Sequence, residues 1–182
     1  MPLSTCEARR MPVRIRPARN DDGPDVREIE RLAGARFREV GMDAVADAEP
    51  ASLEVLSGYA ADGRSWVAVD ESDRAVGFVV VDVVDDAAHI EQISVRPDRQ
   101  GTGVGRALID RVRVWASTTG MSAITLTTFA SVPWNGPLYE HLGFAALGEG
   151  EIGAELLSIR DAETRHGLDP TLRVCMRLDL DA

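Results

Sequence analysis

Three alternating glycines, set between an apolar segment and a helical pattern, constrain this chain more than any other feature. Gly101, Gly103 and Gly105 follow a segment that ends at Arg96-Pro97-Asp98, and proline ends a strand because it cannot donate to the ladder. Beyond the glycines, apolar residues recur at helical spacing, namely Val104, Leu108, Val112 and Trp115. The pattern predicts a strand, a tight turn and an amphipathic helix in direct succession.

This junction is suited to binding a phosphate group. Glycine lets the backbone approach a ligand closely, and a helix N-terminus presents unpaired N–H groups with the positive end of the dipole. Three arginines lie nearby in the sequence, Arg96, Arg99 and Arg106. The alternative is a turn that only shapes the connection. A dinucleotide fingerprint, G-x-G-x-x-G, is excluded because its third glycine would fall at Arg106 or Leu108.

The basic residues exclude several enzyme classes. All 20 are arginines, whereas a P-loop, a pyridoxal-phosphate Schiff base and any lysine nucleophile each require a lysine. Aspartate and glutamate together number 30, so the formal net charge is −10. This balance argues against a general nucleic-acid binder, because such a protein needs a basic face.

Length and composition predict one domain. A chain of 182 residues, 45% hydrophobic and 27% charged, suits a single globular domain. Cys6 and Cys175 are too few for a structural zinc site or a disulfide framework, and they suit a reducing cytoplasm. No run approaches the roughly 18 apolar residues of a membrane helix. We expect residues 1–11 to be a disordered or misassigned start and residues 12–182 to form the domain.

Periodicity predicts a mixed α/β domain with a sheet of six or seven strands. Strands are predicted over residues 13–17, 65–69, 75–84, 89–95, 122–129 and 171–180. Helices are predicted from the turn at 20–24 to about Phe37, from 104 to the closing Gly120, and over 50–61, 138–142 and 155–166.

Two motifs resemble the GNAT superfamily of acyl-coenzyme-A-dependent N-acetyltransferases. The pyrophosphate motif of that family, Q/R-x-x-G-x-G/A, is met by Gln100, Gly103 and Gly105. A second signature, a tyrosine helix that ends in Leu-Gly-Phe, is met from Leu138 to Phe144, and the resemblance extends from about Val13 to Leu180. It implies a single GNAT-like α/β (α+β) domain, with a mixed, mostly antiparallel sheet of six to seven strands flanked by helices.

The resemblance also implies acetyl-coenzyme A as cosubstrate, without a metal. Its pyrophosphate would lie against the turn formed by Gln100, Gly101, Thr102, Gly103, Val104, Gly105 and Arg106. Its pantetheine arm would pair like an extra strand with Ile93, Ser94 and Val95, where strands 89–95 and 122–129 splay apart in family members. A backbone N–H near Ile93 to Val95 would stabilise the oxyanion. An amine would attack the thioester directly, without a covalent enzyme intermediate.

Two side chains are candidates for the proton transfers. By the resemblance, Tyr139 is the acid that protonates the departing thiolate, and the alternative is a core tyrosine on an amphipathic helix. Glu91 is the candidate base, directly or through a water, because on a regular strand it shares a face with Ile93 and Val95. The alternative is an ordinary solvated glutamate. His89 is a further candidate, as base or substrate contact.

One position departs from the family pattern. Family members often carry an asparagine about seven residues before the tyrosine, where this chain has Val132. Asn135 lies four residues before Tyr139. We expect it either to contact the coenzyme or substrate, or to cap the helix that follows.

The acceptor is the least constrained part of the prediction. In the family it is usually held by the first two helices and their loop, here Phe37 to Tyr59, a segment with five acids: Glu39, Asp43, Asp47, Glu49 and Glu54. They favour a cationic amine of a small molecule or a peptide, and the alternative is a solvated acidic surface. Residues 149–169 are expected to cover the acceptor site or to form a homodimer contact. Non-catalytic acyl-coenzyme-A binding, and acyl transfer to a hydroxyl or from a longer chain, are the alternatives to N-acetylation.

Overall fold

The computed structural model describes residues 13–180, in which seven strands and six α-helices are formed. The strands are β1 (Arg14–Pro17), β2 (Ser65–Val69), β3 (Ala75–Val84), β4 (Ala87–Val95), β5 (Ala123–Phe129), β6 (Ala145–Ala146) and β7 (Arg173–Asp179). The helices are α1 (Gly23–Gly34), α2 (Asp43–Ala46), α3 (Leu53–Ala61), α4 (Val104–Thr118), α5 (Gly136–His141) and α6 (Ala154–Arg165). A 3-10 segment over Ala35–Val40 connects α1 to α2.

One sheet contains all seven strands, in the order β1-β2-β3-β4-β5-β7-β6. The predicted mixed, mostly antiparallel sheet is therefore confirmed. Two elements were not predicted, because β6 has two residues and α2 has four, which is too short for a periodic pattern. The prediction for residues 1–11 lies outside the described residues.

Helices cover both faces of the sheet. On one side, which we call the α4 face, α4 packs against the strands through an apolar cluster that includes Val79, Ile90, Leu108 and Val112. On the other side, the α1 face, α1 and α3 pack through a cluster that includes Ile29, Leu56, Val67 and Phe78. Each such buried side chain stabilises the fold by about 1.5–3 kcal/mol. None of the described helices is long and apolar enough to cross a bilayer.

β4 and β5 are the parallel pair of the described sheet, and they pair only briefly. Their register partners are Ala88 with Ile124, His89 with Thr125 and Ile90 with Leu126. β4 then continues to Val95 and β5 to Phe129 without further pairing between them. The two strands therefore separate beyond Ile90 and Leu126, in line with the predicted splay. We call the opening between them the β4/β5 gap.

A β-bulge in β4 changes which side chains share a face. The β3–β4 register shifts between Val80 and Val81, where Glu91 is the extra residue of β4. Because a bulge interrupts the alternation of side chains, Ile90 and Ile93 both pack on the α4 face although they are three residues apart. The bulge thereby places Ile93 on the face opposite to Glu91, whereas a regular strand would give the two residues the same face.

The segment between β6 and β7 folds over the far end of the sheet. Leu156 of α6 packs against Val84 and Cys175. The first turn of α6 is bound to the β3–β4 turn, because the Asp85 carboxylate accepts from the N–H groups of Glu155 at 3.0 Å and Leu156 at 2.9 Å. The Glu155 carboxylate in turn accepts from the Asp85 N–H at 2.6 Å. These bonds fix α6 to the sheet.

Candidate active site

The β4/β5 gap presents backbone groups of β4. The Arg96 N–H donates to the Val76 carbonyl of β3 at 2.9 Å, and successive strand residues direct their backbone groups to opposite sides. Val95 and Ile93 therefore direct theirs into the gap. Ser94 directs its own to β3, and its buried side chain accepts a hydrogen bond within β4.

The glycine turn leads from the end of β4 into α4. Gly103 is the N-cap of α4 at φ +93°, a left-handed conformation that favours glycine. A Cβ added at Gly101 or Gly103 would meet no other described atom within 4 Å. No side chain among residues 13–180 caps this helix. The N–H groups of its first turn, at Val104, Gly105 and Arg106, are therefore available to an anion.

The positive charge at this turn is smaller than three nearby arginines suggest. The Asp98 carboxylate lies 2.9 Å from Arg96 and 3.8 Å from Arg99. Thr102 closes the turn by donating its hydroxyl to the Arg99 carbonyl at 2.6 Å. Arg106 is exposed at the start of α4. Anion binding here therefore depends mainly on the backbone N–H groups, with Arg106 as the accompanying cation.

Gln100 connects the turn to the α1 face. Its amide donates to the Val95 carbonyl at 3.1 Å, and its oxygen accepts from Arg36 at 3.2 Å. Arg36 also stacks over Trp134 of the β5–α5 connection, 3.9 Å from the ring centroid. Arg36 thus bridges the two loops that flank the gap. Sequence reasoning missed it, because no local signal marks an arginine that reaches across the fold.

Tyr139 lies on α5 and is half-buried against the apolar cluster of the α4 face. Its ring meets Phe144 edge to face, with the centroids 5.6 Å apart. Within the described residues its hydroxyl has no hydrogen-bond partner. Burial raises the pKa of Tyr139 to about 12, against the opposing effect of the positive charge of Arg173. The phenol is therefore protonated at neutral pH and has a proton to donate.

Glu91 lies on a different face from the one that the sequence predicts. The expectation that it shares a face with Ile93 and Val95 is wrong, because the bulge turns those two residues to the α4 face. Glu91 stays on the face of His89, with its Oε2 4.0 Å from His89 Nε2. About half of the side chain is exposed. Partial burial raises the pKa of Glu91, and the charges of Asp82 and Glu163 raise it further, whereas Arg173 opposes them.

His89 is buried, with 1% of its surface exposed. Its Nδ1 lies 3.0 Å from Thr125 Oγ1. Burial lowers the pKa of His89 to about 4, although nearby carboxylates act in the opposite direction. The imidazole is therefore neutral near pH 7 and a weak base, which disfavours its prediction as the alternative base.

Asn135 is the N-cap residue of α5, but its side chain makes no capping hydrogen bond. Its Nδ2 donates to Thr128 Oγ1 at 2.8 Å, and the helix has no side-chain capping bond. Its Oδ1 is buried and has no partner among the described residues. Val132, at the position where the family often has asparagine, is buried in the interior. Asn135 thus holds the capping position without a side-chain capping bond, and an unpaired acceptor lies next to the end of β5.

An ion pair that sequence reasoning missed lies on the β3 side of Glu91. Asp82 accepts from the Tyr59 hydroxyl at 2.8 Å and is bound by Arg64. Burial and the neighbouring Asp82 raise the pKa of Tyr59. A cavity of about 530 Å³ opens next to Asp82, between Arg64 and α6.

A second ion pair lies on the β5 side of Glu91. Glu163 of α6 binds Arg173 of β7, and both contact the Thr127 hydroxyl. The Arg173 guanidinium also stacks over Phe129, 4.7 Å from the ring centroid. No group of three or more His, Cys, Asp or Glu side chains within residues 13–180 is arranged to hold a metal ion.

The acids between Phe37 and Tyr59 are exposed. Three of the five form ion pairs, namely Arg36–Glu39, Arg38–Asp47 and Arg27–Glu49. Pairing of this kind neutralises much of the charge that favoured a cationic acceptor. The alternative of a solvated acidic surface is the better description of this segment.

Comparison with known proteins decides the family. Residues 24–144 match the Acetyltransferase (GNAT) family, a range that includes β4, the glycine turn, α4 and α5. This chain belongs to the GNAT family. The resemblance seen in its two motifs is confirmed, and so is the prediction that the chain is an acetyl-coenzyme-A-dependent acyltransferase.

Individual GNAT proteins match the chain over most of its length. It is 27% identical to the peptidyl-lysine N-acetyltransferase YjaB of Salmonella typhimurium over 143 residues. These residues cover 78% of this chain and 90% of that protein. The ribosomal-protein-S18-alanine N-acetyltransferase of Escherichia coli superposes with a TM-score of 0.64 at 21% identity, over 94% of this chain and 96% of that one. The PaiA N-acetyltransferase of Thermoplasma acidophilum, solved in complex with coenzyme A, gives a TM-score of 0.68 at 14% identity, over 93% and 99%. At these identities the solved structures support the GNAT fold.

Proposed function

We propose that this GNAT enzyme transfers the acetyl group of acetyl-coenzyme A directly to a primary amine of a peptide or a small molecule. The β4/β5 gap carries the proposal. It begins beside Glu91, where β4 and β5 stop pairing, and it ends at the glycine turn that follows β4. Both substrates would meet in the gap, so no covalent enzyme intermediate is needed.

The residues around the gap suit acetyl-coenzyme A. Free N–H groups at the start of α4 suit its pyrophosphate, and the backbone groups of Ile93 and Val95 suit the pantetheine amides as an added strand would. The Oδ1 of Asn135, without a partner among residues 13–180, would accept from a pantetheine N–H and so be satisfied.

The proposed reaction is one displacement at the thioester. The amine nitrogen attacks the carbonyl carbon, the C–N bond forms and the C–S bond breaks. A backbone N–H of Ile93 or Val95 would stabilise the oxyanion. The proton lost by the nitrogen goes to Glu91, directly or through a water, and the departing thiolate takes a proton from Tyr139.

The names of two relatives support a peptide amine as the acceptor. One relative is a peptidyl-lysine N-acetyltransferase, and one structural neighbour acetylates an alanine of a ribosomal protein. A cytoplasmic location, a homodimer and the role of residues 149–169 at the acceptor site stay predictions.

A calorimetric titration of the purified protein tests the cosubstrate. Acetyl-coenzyme A and coenzyme A should bind with micromolar dissociation constants, about −8 kcal/mol, and NAD should give no heat. Thiol release should then require an amine, with a lysine peptide, a peptide with N-terminal alanine and a polyamine as probes. Equal heat with NAD would contradict the cosubstrate, and binding without thiol release from any probe would contradict the acceptor class.

A further inference from the structure

His89 lies beside the proposed base, and the reaction above gives it no part. Only 1% of its surface is exposed. Its Nδ1 lies 3.0 Å from Thr125 Oγ1, and its Nε2 lies 4.0 Å from Glu91 Oε2. The fold fixes this order of side chains. His89 and Thr125 are partners in the short parallel pairing, and Glu91, two residues after His89, lies on the same side of β4.

Hydrogen-bond accounting selects one tautomer of His89. Within the described residues, Thr125 Oγ1 has no partner other than His89. With the proton on Nε2, the Thr125 hydroxyl donates to Nδ1 and the Nε2–H faces the carboxylate of Glu91. With the proton on Nδ1, the threonine hydroxyl has no acceptor and the Nε2 lone pair faces a carboxylate. The first arrangement pairs the Thr125 hydroxyl and directs an N–H towards a carboxylate, whereas the second leaves two unfavourable contacts.

We propose that Thr125 and His89 form a relay that positions the carboxylate of Glu91. The Thr125 hydroxyl holds the Nε2–H tautomer of His89, and His89 then donates to Glu91 and aims it at the acceptor nitrogen. The proposal rests on the proposed function, in which Glu91 is the base. His89 and Thr125 are positioning residues, since they act through Glu91 and do not touch the substrate.

The distance between His89 and Glu91 is compatible with this role. At 4.0 Å the two atoms are not hydrogen bonded, but the Glu91 side chain is half exposed and a small rotation closes the remaining ångström. A flexible carboxylate that gains one fixed donor spends more of its time in a single orientation. The neutral state of the buried imidazole suits a donor that keeps its proton.

Several other charged or titratable groups act on this pair. They come from each element packed around it, and they are Asp82 of β3, Asp85 of the β3–β4 turn, Tyr59 of α3, Glu163 of α6 and Arg173 of β7. None of them is altered in the variants below, so differences between variants report on His89.

Nitrogen NMR of the wild-type protein tests the tautomer without any mutation. The chain has three histidines, and His141 and His166 are exposed, so the signal of His89 is identified by its loss in His89→Gln. We expect a neutral ring near pH 7 with its proton on Nε2. A proton on Nδ1 would overturn the proposal.

Carbon NMR of the Glu91 carboxyl tests the second link. The resonance is assigned by its loss in Glu91→Gln. His89→Leu removes the donor, whereas the amide of His89→Gln replaces it at a similar reach. Losing a donor to the charged form raises a carboxyl pKa, so the titration of Glu91 should move to higher pH in His89→Leu and stay near its wild-type position in His89→Gln. Equal titration in both variants would overturn the relay.

A double variant controls for loss of stability in His89→Leu. His89→Leu leaves the buried Thr125 hydroxyl unpaired, and adding Thr125→Val removes both polar groups at little cost. The double variant should show the same shift of Glu91 to higher pH, and no shift would count against the proposal. These measurements need no turnover. A failure to release thiol would therefore contradict the proposed function alone, and a wrong tautomer would contradict the relay alone.

Discussion

At the scale of single residues, burial acts in the same direction on the two side chains that exchange protons in the proposed reaction. It raises the pKa of the Glu91 carboxyl and raises the pKa of the Tyr139 phenol to about 12. The first change makes Glu91 a stronger base, and the second makes Tyr139 a weaker acid. Arg173 opposes both shifts, so one cation moderates the two ends of the proton path.

Replacing Tyr139 with phenylalanine tests the acid. The variant lacks the proton donor but keeps the ring that packs against Phe144, so kcat should fall by about 10²-fold. The dissociation constant of acetyl-coenzyme A, measured by calorimetry, should stay at its wild-type value. An unchanged kcat would remove Tyr139 from the acid role and leave it as a core residue.

Replacing Glu91 with glutamine tests the base through its pH dependence. Protonated Glu91 cannot accept a proton, so kcat/KM of the wild type should fall as the pH drops through the raised pKa of this carboxyl. Glu91→Gln should lower kcat by about 10²-fold and lose that acidic limb. Rates of thiol release across a pH series give the comparison. The same limb in the variant would assign it to another group.

At the scale of elements, the glycine turn offers a matched pair of substitutions. Gly103 and Gly120 both have positive φ, +93° and +79°, and a Cβ added at either would meet nothing within 4 Å. An aspartate at either position costs about 1–2 kcal/mol of backbone strain. Only Gly103→Asp places a carboxylate where the pyrophosphate is proposed to lie.

We therefore expect Gly103→Asp to abolish binding of acetyl-coenzyme A and Gly120→Asp to retain it, at similar unfolding temperatures. Calorimetry and thermal unfolding of the two variants check this. Loss of binding in both variants would mean that strain in α4, and not contact with the phosphates, accounts for the effect.

The elements also show what a sequence can predict here. The strands other than β6, together with α4 and the glycine turn, were predictable because their signals are local periodicity and local glycine spacing. The face of Glu91 was not, because the bulge arises from the pairing of β4 with Val80 and Val81. Arg36 was not, because its bond to Gln100 joins residues 64 positions apart. Such features depend on contacts between distant residues, which form only when the chain is folded.

At the scale of the whole molecule, His89 links stability to pH. Its pKa is about 4 in the folded protein against 6.5 when unrestrained, so between these values only the unfolded chain binds the proton. Stability is therefore lost as the pH falls from 6.5 towards 4. We expect a loss from this residue of about 2 kcal/mol between pH 7 and pH 5.

Urea unfolding at the two pH values measures this loss, and His89→Gln should lack it. Glu91 contributes with the opposite sign, because a raised folded pKa adds stability as the pH falls. The comparison of wild type with His89→Gln isolates the histidine. An equal change in both proteins would contradict the low pKa of His89.

The short pairing of β4 with β5 has a mechanical consequence for the molecule. In the described sheet, three register pairs between β4 and β5 join strands β1 to β4 to strands β5 to β7. Backbone hydrogen bonding between the two halves of the sheet is therefore limited to a short stretch. A cosubstrate that hydrogen-bonds along the open part of β4 would both occupy the gap and restrain the strand that lines it. Loading should then slow amide hydrogen exchange in the parts of β4 and β5 that do not pair with each other.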